Sequence, residues 1–148
     1  MTNTYCLDAC ALIAYIKNEE GADIVENVLD QAAANDAVVY ISAVNLSEVI
    51  YSFRREKNDD EMYILWQRIH NLPVTIVREI TDSIIDEAAR LKSRNKISHA
   101  DSLGIAVAKN LSATFVTSDH HELEIVEEHE SISFLWLPPK PKKQQPLN

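Results

Sequence analysis

Short apolar runs rich in β-branched and aromatic residues alternate along the chain with longer stretches whose apolar positions recur at helical spacing. Residues 4–7 read as a first strand, and residues 9–17 and 21–34 as helices, the second with Ile24, Val25, Val28 and Leu29 on one side. Residues 37–41 form a second strand, with Ser42 placed to cap the helix that follows. From residue 43 to about 57, Leu46, Val49, Ile50 and Phe53 repeat at helical spacing. Polar Asn58, Asp59 and Asp60 then divide this helix from another ending near Asn71, giving a helical hairpin. A strand at 73–77, helices at 82–93 and 98–110, a strand at 113–117, a short acidic helix and a last strand at 133–137 complete the series. Such alternation predicts an α/β fold of three layers, α/β/α, around a central, mostly parallel sheet of four to five strands. Residues 1–137 read as one domain, and the Pro- and Lys-rich residues 138–148 as a disordered tail.

Composition narrows the function. Apolar residues at 46% and charged residues at 25% are ordinary for a globular protein. With only Gly21 and Gly104 available, neither the glycine fingerprint of dinucleotide-binding folds nor a phosphate-binding loop can be built. The net charge is −9, and residues 1–137 hold 11 basic against 23 acidic side chains, which argues against a broadly basic surface for long duplex nucleic acid. The uncharged run at 37–47 is too short to span a bilayer and the start lacks a basic leader, so the chain reads as cytoplasmic and without a membrane role. Cys6 and Cys10 are expected to be two reduced, buried thiols.

Four acids stand at strand ends or in the first turns of the helices that follow. Asp8 is the only charge between Met1 and Ile16, at the junction of strand and helix. It suits either a helix N-cap or a buried carboxylate that requires a cation or a partner. Asp101 follows Ser98 at capping spacing, in a helix apolar almost all round. Asp119 closes the fourth strand and suits a cap as well, whereas Glu48 taken alone reads as a solvated surface residue. In a parallel sheet, however, all four positions fall on one edge of the molecule. Two carboxylates about 5 Å apart repel by about 3 kcal/mol at an effective dielectric near 20. Gathered together they need a hard divalent cation with oxygen ligands, Mg²⁺ or Mn²⁺.

The segments Leu7-Asp8-Ala9-Cys10-Ala11, Asn45-Leu46-Ser47-Glu48-Val49, Ala100-Asp101-Ser102-Leu103-Gly104 and Thr117-Ser118-Asp119 closely resemble, in order and spacing, the four motifs of PIN-domain ribonucleases. The likeness is strongest to VapC-type toxins of bacterial toxin–antitoxin pairs and spans residues 4 to about 137. It implies that Asp8, Glu48, Asp101 and Asp119 form an acidic metal-binding and catalytic quartet, with Ser118 supporting it. Asp8 and Asp101 would be the strongest ligands, Glu48 a ligand or water-positioning base, and Asp119 the more peripheral acid. Cys10 stands where the family usually has a small hydroxyl or Asn. The resemblance further implies an RNA substrate, a homodimer, and a small cognate antitoxin docking on the helical hairpin at 43–71.

Hydrolysis of a phosphodiester is the chemistry such a carboxylate site serves. An acidic protein must still hold a polyanion, and Arg90, Lys92, Arg94 and Lys96 form an acid-free basic run leading into the Asp101 helix. It reads either as a solvated helix end or as a guide for phosphates, with Arg54, Arg55 and Lys57 as a second candidate patch. His99, His120 and His121 are read as incidental. Three rivals stand beside the toxin: an RNA-processing nuclease, a non-catalytic module binding a basic peptide, and a phosphoacceptor receiver domain. The last is disfavoured because the third strand ends Val77-Arg78 without an Asp.

Overall fold

In the computed structural model, which describes residues 2–139, five strands pair in the order β3-β2-β1-β4-β5, all parallel. The chain runs β1 (Asn3–Leu7), α1 (Ala9–Lys17), α2 (Ala22–Ala33), β2 (Ala37–Ser42), α3 (Ala43–Arg54) and α4 (Asp59–His70), and then β3 (Thr75–Val77) and α5 (Asp82–Arg94). It ends with α6 (His99–Asn110), β4 (Thr114–Thr117), α7 (His120–His129) and β5 (Phe134–Trp136). This is the expected three-layer α/β/α fold, with the sheet parallel throughout. Residues 140–148 of the expected tail lie outside the described residues.

Side chains alternate across the strands and divide the interior in two. Leu7, Val39, Ile41 and Val116 face a core built with α1 to α4, while Cys6, Phe115 and Trp136 face one built with α5, α6 and α7. A sheet covered on both faces explains why its strands read as near-continuous apolar runs. The first two crossovers, through α1–α2 and α3–α4, carry the sheet outward from β1. The third, through α5–α6, brings the chain back to β1's other side, where β4 pairs with it. The point between β1 and β4 is therefore where the strand order reverses, and the cleft beyond the carboxyl ends of these strands is where such sheets bind ligands.

Three boundaries differ from expectation by two residues or more, each for a local reason. Helix α3 stops at Arg54 rather than near 57, because the N–H groups of Glu56 and Lys57 both turn back to the Phe53 carbonyl. Asn58 then starts α4 through a reciprocal capping box: its side chain accepts from Glu61 N at 2.9 Å while Glu61 Oε1 accepts from Asn58 N at 3.1 Å. Asp59 and Asp60, expected to divide the hairpin, instead form the first turn of α4, where acidic side chains favour the positive end of the helix dipole. Strand β3 begins at Thr75, two residues after Pro73, since a tight turn between Val74 N and Leu72 O delays pairing. Among the described residues no helix is long and apolar enough to cross a membrane.

Candidate active site

Asp8 leaves β1 in extended conformation and serves as the N-cap of α1, with Oδ1 accepting from Ala11 N at 2.7 Å. Its other oxygen accepts the Thr117 hydroxyl from the end of β4. At 2% exposure it is both a cap and a buried carboxylate, so the two readings offered by the sequence coexist. Burial pushes its pKa up to about 7. The hydrogen bonds from Thr117 and the Ala11 N–H oppose that rise, while the charges of Asp101 and Asp119 add to it. Asp8 thus shares a field with two acids from distant parts of the chain.

Asp101 sits in the first turn of α6, where its N–H donates to the Ser98 hydroxyl at 3.1 Å. Burial lifts its pKa to about 6, against the Ser98 hydrogen bond and with repulsion from Asp119, Glu48 and Glu122. Asp119 caps α7, accepting from Glu122 N at 3.1 Å, and its own N–H donates to Thr117 Oγ1 at 3.1 Å. One oxygen from each of Asp101, Asp119 and Glu122 lies within 4.8 Å of the other two. Ligands on an octahedral Mg²⁺ sit roughly 3 to 4.2 Å apart, given metal–oxygen bonds near 2.1 Å. Small rotations of three hard carboxylates would therefore suit such an ion, and no sulfur or imidazole belongs to the trio.

The arrangement differs in emphasis from the sequence reading. Asp119, expected at the periphery, stands in one group with Asp101, and Glu122, absent from the quartet the sequence suggests, joins them. Its signal was present: an Asp followed three residues later by Glu is a capping pattern that sets both in one helical turn. Asp8 is linked to Asp119 through the Thr117 hydroxyl and feels the charges of Asp101 and Asp119, with both its oxygens already accepting hydrogen bonds. Glu48 is half-buried rather than solvated, and Asn45 Nδ2 donates to its Oε2 at 3.2 Å. The hydroxyl that meets Asp8 is that of Thr117, still within the strand beside β1, whereas Ser118 lies against the Cys10 thiol. Cys6 is buried as expected, but Cys10 is exposed: it occupies the first turn of α1 on the open side of the cleft.

Of the basic run, Arg90 is held by Glu87 at 2.6 Å and by Glu130 at 2.8 Å, and Lys92 Nζ donates to the Ile97 carbonyl at 2.8 Å. Arg90 thus ties α5 to the end of α7, and Lys92 closes the turn after α5. Arg94 and Lys96 are exposed.

Thr117 ties the ends of β1 and β4 together, donating to one acid and accepting from the backbone of another. Thr117→Val keeps the shape and removes the hydroxyl, leaving the Asp8 carboxylate short of a donor. A hydrogen bond to a charged group is worth about 1.5 to 3 kcal/mol. The variant should lose about that much stability in urea denaturation near pH 8, where Asp8 is ionised, and less near pH 5. An equal loss at both values would assign the effect to packing instead.

The PIN domain family profile matches residues 5–128. No curated protein matches the sequence significantly. Among solved structures, VapBC-1 from nontypeable Haemophilus influenzae is similar with a TM-score of 0.70 at 16% identity, over 92% of this chain and 99% of that one. VapBC2 from Rickettsia felis, bound to a DNA fragment from its promoter, gives 0.69 at 18% identity over 90% and 98%. FitAcB from Neisseria gonorrhoeae gives 0.63 at 17% identity over 88% and 95%. At these identities the likeness is one of fold.

Proposed function

Because the chain belongs to the PIN domain family, we propose that it is a Mg²⁺- or Mn²⁺-dependent endoribonuclease acting as the toxin of a toxin–antitoxin pair. The observation that carries this reading is the meeting of Asp8, Asp101, Asp119 and Glu122 at the β1/β4 switch point, with burial and mutual repulsion raising the pKa of Asp8 and Asp101. A divalent cation bound there supplies a Lewis acid for the phosphoryl oxygen and lowers the pKa of an attacking water. Asp101, Asp119 and Glu122 provide its oxygens, and Asp8 adds to the negative field. Glu48, facing the same cleft from α3, orients the water or accepts its proton.

The partners follow from the same surfaces. Similar solved structures include a toxin–antitoxin complex from Klebsiella pneumoniae and VapBC assemblies, which supports a small cognate antitoxin for this chain. Its docking place is the α3–α4 hairpin, where Tyr51, Tyr63 and Ile64 are about two-thirds exposed. Ile16, Phe53, Leu65 and Arg68 line a groove of about 580 Å³ beside it. A homodimer of cytoplasmic location completes the proposal.

The test is cleavage of RNA by the purified chain freed of any partner. Cutting is expected with Mg²⁺ or Mn²⁺ and none with EDTA, and induction should arrest growth unless the antitoxin is supplied. A folded, partner-free protein that leaves RNA intact with both metals overturns the nuclease reading, and cleavage without growth arrest overturns the toxin reading alone. Within this framework Arg94 and Lys96, rather than Arg90 and Lys92, guide phosphates. Replacing both by Ala should weaken RNA binding about three- to tenfold in a filter-binding titration at low salt and flatten its salt dependence. Arg90→Ala should act chiefly on thermal stability.

A further inference from the structure

Asn45 is fully buried, an unusual place for an amide, and each of its polar atoms is used. Its backbone N–H donates to Ser42 Oγ at 3.0 Å, and its Oδ1 accepts the same hydroxyl at 2.9 Å. Its Nδ2 donates in two directions, to Glu48 Oε2 at 3.2 Å and to the Ala100 carbonyl at 3.3 Å. Those last two partners belong to different elements: Glu48 to α3, and Ala100 to the residue before Asp101 in α6. Gly104 makes room for the contact, since a Cβ there would stand 2.2 Å from Asn45 Oδ1.

We propose that Asn45 is a positioning residue that fixes Glu48 and the first turn of α6 relative to one another, through a contact that the absence of a side chain at Gly104 permits. The proposal rests on the catalytic reading above and adds to it a residue that touches neither metal nor substrate. The amide suits the task because it is neutral and donates two hydrogen bonds in fixed directions. A carboxylate at this place would repel Glu48, and a hydroxyl would have one proton to serve two acceptors. Asn45 also explains how Glu48, on a helix starting from β2, is held towards Asp101 in the first turn of α6.

The experiment is titration of Mn²⁺ into the full chain, followed by calorimetry, with melting curves to show that each variant is folded. Wild type is expected to bind, and Glu48→Gln, which removes a charge beside the acidic trio, and Asn45→Ala, which releases both Glu48 and the turn that carries Asp101, should each weaken binding about tenfold, the scale of losing an outer partner at a metal site. In the double variant the loss should fall short of the product of the two single losses, because part of what Asn45 does it does through Glu48. Ser42→Ala, which frees the amide to rotate but leaves it in place, should give a smaller loss of the same kind and serves should Asn45→Ala fail to fold. Unchanged Mn²⁺ affinity in Asn45→Ala or Ser42→Ala, or losses that multiply in the double variant, overturns the positioning role while leaving the nuclease reading intact. A wild-type chain that binds no Mn²⁺ overturns the catalytic reading itself, and the proposal with it.

Discussion

Asp101→Asn is expected to lower the rate of RNA cleavage by roughly a hundred- to a thousandfold, equivalent to about 3 to 4 kcal/mol of transition-state stabilisation. The substitution keeps the shape of a half-buried side chain and its place behind the Ser98 cap, but removes one of three carboxylates whose oxygens lie within 4.8 Å of one another. The neutral amide offers a weaker oxygen ligand and turns its N–H donors towards the remaining acids. Folding should not suffer. The charges of Asp119, Glu48 and Glu122 all push on Asp101, so the metal-free variant should be at least as stable as wild type at pH 8. Opposite signs for activity and stability distinguish a functional carboxylate from a structural one. Single-turnover cleavage of a defined RNA, with urea denaturation of the same preparations, reads both. A rate within threefold of wild type removes Asp101 from the site.

Much of this was legible in the sequence because parallel α/β folds write their topology locally. A strand buried on both faces is a short apolar run, and the helices are announced by polar caps, as Ser42 announces α3 after β2 and Ser98 announces α6 after α5. Asp8 could be read as either cap or buried acid, and the structure makes it both, since the end of a strand in this fold is also the floor of the cleft. What stayed hidden depends on contacts between distant segments. Glu48 reads as surface on a helical wheel, and only the approach of α6 half-buries it. Nothing around Asn45 marks it as the buried amide joining α3 to α6 until Gly104 is placed beside it. Arg90 and Arg94 are alike in sequence, yet Glu130, 40 residues away, claims the first. The Cys10 expectation failed for a related reason: thiols usually lie inside, but residue 10 falls in the first turn of α1, on the open side of the cleft.

The metal-free protein should lose stability as pH rises from about 5 to 8, the reverse of ordinary acid denaturation, and a divalent cation should restore it. In the unfolded chain Asp8 and Asp101 ionise near pH 4. In the folded chain burial and mutual repulsion hold the proton on Asp8 until about 7 and on Asp101 until about 6. Between those values the folded state binds more protons than the unfolded state, so each increment of pH favours unfolding. A change from 3.8 to about 7 for Asp8 corresponds to about 4 kcal/mol at 1.36 kcal/mol per pKa unit. Part of each shift is repulsion by the other acids, so the combined loss falls below the sum, about 3 to 5 kcal/mol and a fall of roughly 10 °C in Tm. Glu87, whose pKa its hydrogen bond from Arg90 lowers to about 2, works in the opposite direction but only below about pH 4.5. Because the loss from Asp8 and Asp101 begins as soon as pH passes about 4, the stability profile should peak near pH 4. At pH 8, Mg²⁺ or Mn²⁺ at a hundred times its Kd should return about 3 kcal/mol, whereas at pH 5 it must first displace protons and should return little. Asp8→Asn should flatten the profile and raise Tm at pH 8. Calorimetric melts in EDTA across this range measure all of these. A profile flat or rising between pH 5 and 8 would mean that Asp8 and Asp101 ionise freely, and the electrostatic basis for a cation at this site would be gone.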